Sequence, residues 1–188
     1  MLWSRALEEV EKGRESCLGT AYHTAEREKK FLFSDSYYES QVALIRKQST
    51  SDVDWSVLED FKGKTFVVVK DNSYGKEFDE ADFLKKHTTP DESISLALHF
   101  LRGIGDYVVM DPLVARTLLK KEPFIKRKIK WATITRPLSR NKLYLICSKA
   151  IKNMKNTVKD FNAGLSEIKK DSKIQDILKK HGISEQDF

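Results

Sequence analysis

The chain predicts an α/β fold, because helical and strand-like segments alternate along its 188 residues. Residues 65–70 (TFVVVK) are an unbroken β-rich run, the pattern of a strand buried on both faces. A helix-start signal, Thr89-Pro90-Asp91-Glu92, precedes apolar residues at helical spacing and a glycine stop, and Tyr107–Met110 then reads as a further buried strand. Near the end, Ile151, Met154, Val158, Phe161, Leu165 and Ile168 recur by threes and fours, the stripe of a long amphipathic helix packed on a core.

Each element follows from local chemistry. Ser4–Lys12 is helical, with Leu7 and Val10 on one face and Gly13 as its stop. Tyr37–Arg46 (YYESQVALIR) reads as a strand. Asp54 is expected to cap a short helix ending at Gly63. At Thr89, the hydroxyl can cap, Pro90 suits the first helical position and Glu92 sits at the capping-box position. That helix is expected to bury Ile94, Leu98 and Leu101 and to stop at Gly103. Asp111-Pro112 opens the next helix. Trp131–Thr135 and Leu143–Cys147 read as strands. Ser172 caps a last helix that carries Ile174, Ile177 and Leu178 and ends at Gly182.

Composition excludes several classes. Hydrophobic content of 40% and charged content of 33% are those of a soluble globular protein. No apolar run approaches the roughly 18 residues a membrane span needs, and the N-terminus lacks the basic-then-apolar form of a signal peptide. The net charge of +6 hides an asymmetry: Ala115 onward holds 19 Lys or Arg against 7 Asp or Glu, net +12, and the preceding residues are net −6. The densest run, Lys126-Arg127-Lys128-Ile129-Lys130, alternates with apolar residues and leads into Trp131, so it reads as a solvated strand edge. No nucleic-acid-binding motif accompanies it, and no nucleic-acid partner is expected. Cys17 and Cys147 lie in apolar strand-like stretches; two buried thiols are expected, with a disulfide as the alternative in an oxidising compartment. No paired C-x-x-C, H-E-x-x-H, G-x-S-x-G, P-loop or G-x-G-x-x-G occurs, so no metal, cofactor or catalytic centre is expected.

The most informative stretch is Gly19–Tyr38, GTAYHTAEREKKFLFSDSYY. One arginine, Arg27, follows a run of small and hydroxyl residues and precedes the apolar patch Phe31-Leu32-Phe33. An arginine fork makes two parallel charged hydrogen bonds to a carboxylate, which suits a partly desolvated site. The stretch resembles the T-x-E-R … F-S-x-x-Y signature of family 3 extracellular solute-binding proteins, two-lobed receptors that capture amino acids for ABC importers. Further pieces resemble that family in order: Leu2–Gly13 the P-W-x-R-A-L helix, Leu58–Lys64 the L-x-D-L-x-G-K segment, Gly103–Asp111 the G-x-x-D-A-V-x-x-D segment, and Phe161–Leu165 with Ile177–Gly182 the final helices.

The resemblance implies a type 2 periplasmic-binding-protein-like fold: two α/β lobes with a hinge. Lobe 1 would comprise residues 1–44 and 142–188, and lobe 2 residues 45–141. Family members begin with a strand, helix and strand ahead of the W-x-R-A-L helix, so lobe 1 is expected to lack its N-terminal part. The ligand would sit in the cleft between lobes, outside the carboxyl ends of the strands. Arg27 would hold the ligand carboxylate and Asp111 its ammonium. Each has another reading: Arg27 as a surface residue in a charged run, Asp111 as a helix cap. Thr20, Tyr22 and Thr24 would line the first-lobe side, Tyr22 either donating a hydrogen bond or packing between strands. Ser73 and Tyr74 follow the strand 65–70 where the family carries a Ser-Gly-Thr turn; here the residues are Asp71-Asn72-Ser73-Tyr74-Gly75. His23 is expected to be structural.

The function implied is non-enzymatic: a periplasmic receptor for a polar amino acid or similar small zwitterion, partnered by an ABC permease or a membrane sensor, without cofactor or membrane insertion. The alternatives are a dehydratase-type enzyme on the same fold and a truncated remnant that binds nothing.

Overall fold

The computed structural model describes residues 2–171 and 173–183, so the cap expected at Ser172 lies outside the described residues. The chain divides into two compact units. Unit 1 contains Arg5–Ser40 and the stretch from Asn141 onward; unit 2 contains Leu2–Ser4 and Gln41–Arg140. Two long strands, β3 (Tyr38–Lys47) and β8 (Ser139–Ser148), carry the chain from one unit to the other.

In unit 1 the C-terminal part of β8 is flanked by two short strands. β1 (Cys17–Tyr22) pairs with it antiparallel, Cys17 opposite Cys147 and Ala21 opposite Tyr144, with a bulge between Leu18 and Ala21. β2 (Phe31–Phe33) pairs on its other side, Phe31 opposite Ser148. Helices α1 (Trp3–Glu11), α2 (Ala25–Lys30), α6 (Met154–Lys170) and α7 (Lys173–Lys180) complete the alternation. α1 buries Val10 and α6 buries Val158 and Leu165, whereas Ile168 is exposed and Ile151 precedes the helix. The cysteines are not free thiols: Cys17 and Cys147 form a disulfide. The cause is the register, which places these two residues directly opposite each other although 130 positions separate them.

Unit 2 is built on β4 (Thr65–Val69). β5 (Lys85–Thr89) and β6 (Tyr107–Met110) pair with it in parallel on either side, β3 pairs antiparallel with β6, and β7 (Trp131–Thr133) pairs antiparallel with β3. The parallel neighbours require crossovers, supplied by α3 (Lys76–Glu80) and α4 (Glu92–Arg102), and α5 (Pro112–Leu119) follows β6. Phe66 through Val69 are all buried, as the apolar run predicts. One core cluster joins Ile45, Val67 and Val108 of the sheet to Leu96 and Phe100 of α4, Ala115 and Leu119 of α5, and Phe124. A second, aromatic cluster stacks Phe66 on Tyr107 at 5.7 Å and sets Phe61 and Phe78 edge-on to Phe66.

Several helix starts differ from expectation for identifiable reasons. Among the described residues Asp54 caps no helix; a single 3-10 turn (Leu58–Phe61) forms here, and Asp60 accepts the Ser56 and Val57 N–H groups. Those two bonds hold the Asp60 carboxyl below its ordinary range. Thr89 belongs to β5, because pairing with Val69 extends the strand through it, and its hydroxyl lies 2.6 Å from Ser95 Oγ inside the fold. Asp91 is the cap instead, accepting from Ile94 N at 2.8 Å. The buried face of α4 is correspondingly rotated: Ser95, Leu96, His99 and Phe100 are buried and Ile94 is exposed. Two polar residues tolerate burial because Ser95 meets Thr89 and His99 Nδ1 lies 3.1 Å from the Gly105 carbonyl. The basic run 126–130 is a series of turns before β7, not a strand edge.

Candidate functional site

Unit 1 gathers four of the predicted residues around one turn. Thr24 caps α2, its hydroxyl accepting from Arg27 N at 3.2 Å. That cap starts the helix so that Arg27 turns inward: it is 9% exposed, whereas Glu26, Glu28, Lys29 and Lys30 are exposed. Its Nη1 donates to the Tyr22 carbonyl at 3.0 Å. Burying a guanidinium is costly unless its donors are engaged, and its five N–H groups suit oxygen acceptors. The Tyr22 hydroxyl lies 2.9 Å from Ser40 Oγ. Thr20 adopts φ 61°, unusual for a β-branched residue, and its N–H donates to the Tyr37 hydroxyl at 2.7 Å. Partial burial pushes the Tyr37 phenol above its ordinary pKa, so it stays a neutral hydroxyl. His23 packs edge-on against Phe33 at 4.9 Å, with Phe33 in turn edge-on to Tyr144.

Unit 2 brings the others to the carboxyl ends of β4 and β6, which are hydrogen-bonded neighbours. Asp111 directly follows β6 and caps α5, Oδ1 accepting from Leu113 N at 2.6 Å with Pro112 in the first turn. Ser73 and Tyr74 lie on the turn after β4. Asp79 orders this turn: it accepts from Ser73 Oγ at 2.8 Å and from Tyr74 N at 3.0 Å. Tyr74 is committed to the core rather than to a solvent-facing wall. The residue is 5% exposed, its hydroxyl accepts from Val69 N, and its carbonyl accepts from Ser139 Oγ. Burial raises its phenol pKa strongly, so it too stays neutral.

Sequence reasoning missed Tyr37, Asp79 and Ser139. Tyr37 lay inside the most informative stretch, where a tyrosine next to a second tyrosine gave no sign of which one serves the turn. Asp79 and Ser139 act through partners distant in the sequence. Among the described residues no group of three or more His, Cys, Asp or Glu side chains is placed to hold a metal ion.

Residues 1–184 match the bacterial extracellular solute-binding proteins, family 3. The chain belongs to this family. The fold of this solute-binding protein is type 2 periplasmic-binding-protein-like, and it is similar to several solved structures. An ancestral arginine-binding protein bound to glutamine superposes with a TM-score of 0.78 at 24% identity, covering 96% of this chain and 76% of that one. The P235GK mutant of ArgBP from T. maritima gives 0.77 at 23% identity, covering 96% and 74%. The probable amino-acid ABC transporter extracellular-binding protein ytmK from Bacillus subtilis gives 0.72 at 21% identity, covering 96% and 76%. A search among curated sequences finds no match. No helix among the described residues is long and apolar enough to cross a membrane.

Proposed function

We propose that this solute-binding protein captures a polar amino acid or a similar small zwitterion for ABC import or for sensing, without chemical conversion, in the periplasm. The observation that carries the reading is the burial of Arg27 at the centre of the family signature, on a helix whose other charged residues face solvent. A zwitterion offers one carboxylate and one ammonium. Arg27 takes the carboxylate through its fork, and Asp111 takes the ammonium with its carboxylate while also capping α5. The Tyr22 carbonyl accepts from the Arg27 guanidinium, Thr24 caps the helix of Arg27 and Thr20 precedes them on β1, and these three contribute to the ligand site, while Ser73 offers a hydroxyl beside the β4 end and Tyr74 holds that turn from within. Arg27 belongs to the unit of Arg5–Ser40 with the chain from Asn141, and Asp111 to the unit of Gln41–Arg140. The disulfide supports a location outside the reducing cytosol, and the solved structures that superpose on the chain support an amino-acid ligand.

The test is a thermal-shift and calorimetric screen of the chain against the common amino acids, with Arg27→Ala in parallel. A ligand at about 100 times its Kd stabilises by about 2.7 kcal/mol, a shift of several degrees. A shift with one amino acid that disappears in Arg27→Ala is expected. No shift with any amino acid, from a chain that melts cooperatively, would refute the proposal.

A further inference from the structure

We propose that unit 2 carries a second binding site, for a phosphate group, in the open pocket formed by the end of β3 and the turns before β7. The pocket has a volume of about 500 Å³, and Lys47, Arg127, Lys128 and Lys130 line it with Phe100 and Ile129. Its lining holds four cations and no carboxylate. Among the described residues none of these four makes an ion pair, whereas Lys126, which lies beside them in sequence and outside the pocket, pairs with Glu122 at 3.0 Å.

The pocket wall is held in place by the core. Phe124 is buried in the unit 2 cluster, Ile129 and Trp131 pack against that cluster, and Gln48 N donates to the Lys130 carbonyl at 3.1 Å. Lys128 adopts φ 48°, a backbone region that non-glycine residues rarely occupy and that the surrounding turns impose. Four like charges held around one concavity repel one another, and an apolar floor of Phe100 and Ile129 strengthens the field inside it. A multiply charged anion relieves several of these repulsions at once; a monocarboxylate relieves one. One arginine fork among lysine point charges is the donor set that phosphate oxygens select. This site shares no residue with the proposed amino-acid site. Two sources offer the same chemistry, a soluble phosphate compound and the headgroup of an anionic phospholipid.

Inorganic pyrophosphate and vesicles separate them. The full chain is titrated with pyrophosphate by calorimetry at low salt and at about 0.15 M salt, and is sedimented with phosphatidylglycerol or phosphatidylcholine vesicles. Wild-type binding of pyrophosphate that weakens with salt, and that falls about tenfold or more in Arg127→Glu/Lys130→Glu, is expected. Lys47→Gln, a milder change on β3, is expected to weaken it by a smaller factor and serves if the double variant does not fold. Sedimentation with phosphatidylglycerol alone assigns the headgroup source; pyrophosphate binding without sedimentation assigns the soluble one. Failure of wild type to bind either probe overturns the site. So does equal binding by wild type and the variants.

Discussion

The Arg27 guanidinium donates from Nη1 to the Tyr22 carbonyl oxygen at 3.0 Å, which orients the fork from the turn that precedes its own helix. The first prediction follows from this orientation. Arg27→Ala should weaken amino-acid binding by about 2 kcal/mol or more, roughly thirtyfold in Kd. Arg27→Lys keeps the charge and loses the fork, so it should restore only part of the affinity. Calorimetry on the three proteins checks the order. Equal affinity for wild type and Arg27→Ala would remove Arg27 from the site.

Two glycines separate backbone strain from crowding. Gly105 has φ 78°, and a Cβ there would lie 2.6 Å from Val67 Cγ2. Gly63 has φ 84°, and nothing lies within 4 Å of its Cβ position. Gly63→Ala should therefore cost only the left-handed backbone, about 1 kcal/mol. Gly105→Ala adds displacement of the core residue Val67, for a total of about 2–4 kcal/mol. Urea denaturation of both variants measures the difference, and equal losses would contradict the packing around Val67.

The disulfide joins β1 to β8 across 130 positions of sequence. Closing a long loop restricts the unfolded chain, so Cys17→Ala/Cys147→Ala should lose about 2–4 kcal/mol. The expected readout is a melting temperature lower by several degrees, with the same drop in wild type under reductant and no further drop when reductant is added to the variant.

His99 supplies a pH dependence. Among the described residues its Nε2 is buried without a hydrogen-bond partner, its ring packs edge-on to Phe100 at 4.7 Å, and burial lowers its pKa below the ordinary value, with the nearby Lys47 charge acting in the same direction. The folded state therefore resists protonation that the unfolded chain accepts. Neutral His99 contributes its full stability above about pH 6.5, the unfolded value, and that contribution is lost as pH falls from there toward the lowered folded value. His99→Leu should be less stable at neutral pH, because the Gly105 carbonyl loses its partner, yet should lose less on going to pH 5.5. Parallel stability profiles for wild type and variant between pH 7.5 and 5.5 would show that His99 does not titrate on unfolding.

Where local chemistry decides an element, the sequence carries it. The TFVVV strand, the left-handed stop at Gly103 and the Asp111-Pro112 helix start need no distant partner. The helix start at Asp91 was not legible, since Thr89 and Asp91 are both competent caps and only pairing with Val69 draws Thr89 into β5. The buried stripe of α4 was misread because Ser95 and His99 are polar, and their partners, Thr89 and Gly105, come from the flanking loops. The cysteine pairing depends on a strand register that spans most of the chain. In the candidate site, Arg27 stands in a charged run that reads as surface, and its burial follows from the Thr24 cap and from β1 beside it. Tyr74 had the composition of a binding turn, but Val69 and Ser139 draw its hydroxyl and carbonyl into the fold.

Asp111 holds two roles that one pair of substitutions can divide. Its Oδ1 accepts from Leu113 N at 2.6 Å, so it caps α5, and in the proposed site its charge attracts the ligand ammonium. Asparagine caps a helix about as well as aspartate, whereas alanine costs about 1 kcal/mol at a cap. Asp111→Asn should thus keep stability within a few tenths of a kcal/mol of wild type while losing about tenfold or more in amino-acid affinity, since it keeps the hydrogen bond to Leu113 and removes the charge. Asp111→Ala should lose both. Melting curves in the absence of ligand read the cap, and calorimetric titration reads the charge. Full affinity in Asp111→Asn would leave the residue its structural role alone and require the ammonium to be held by another group at the carboxyl ends of β4 and β6.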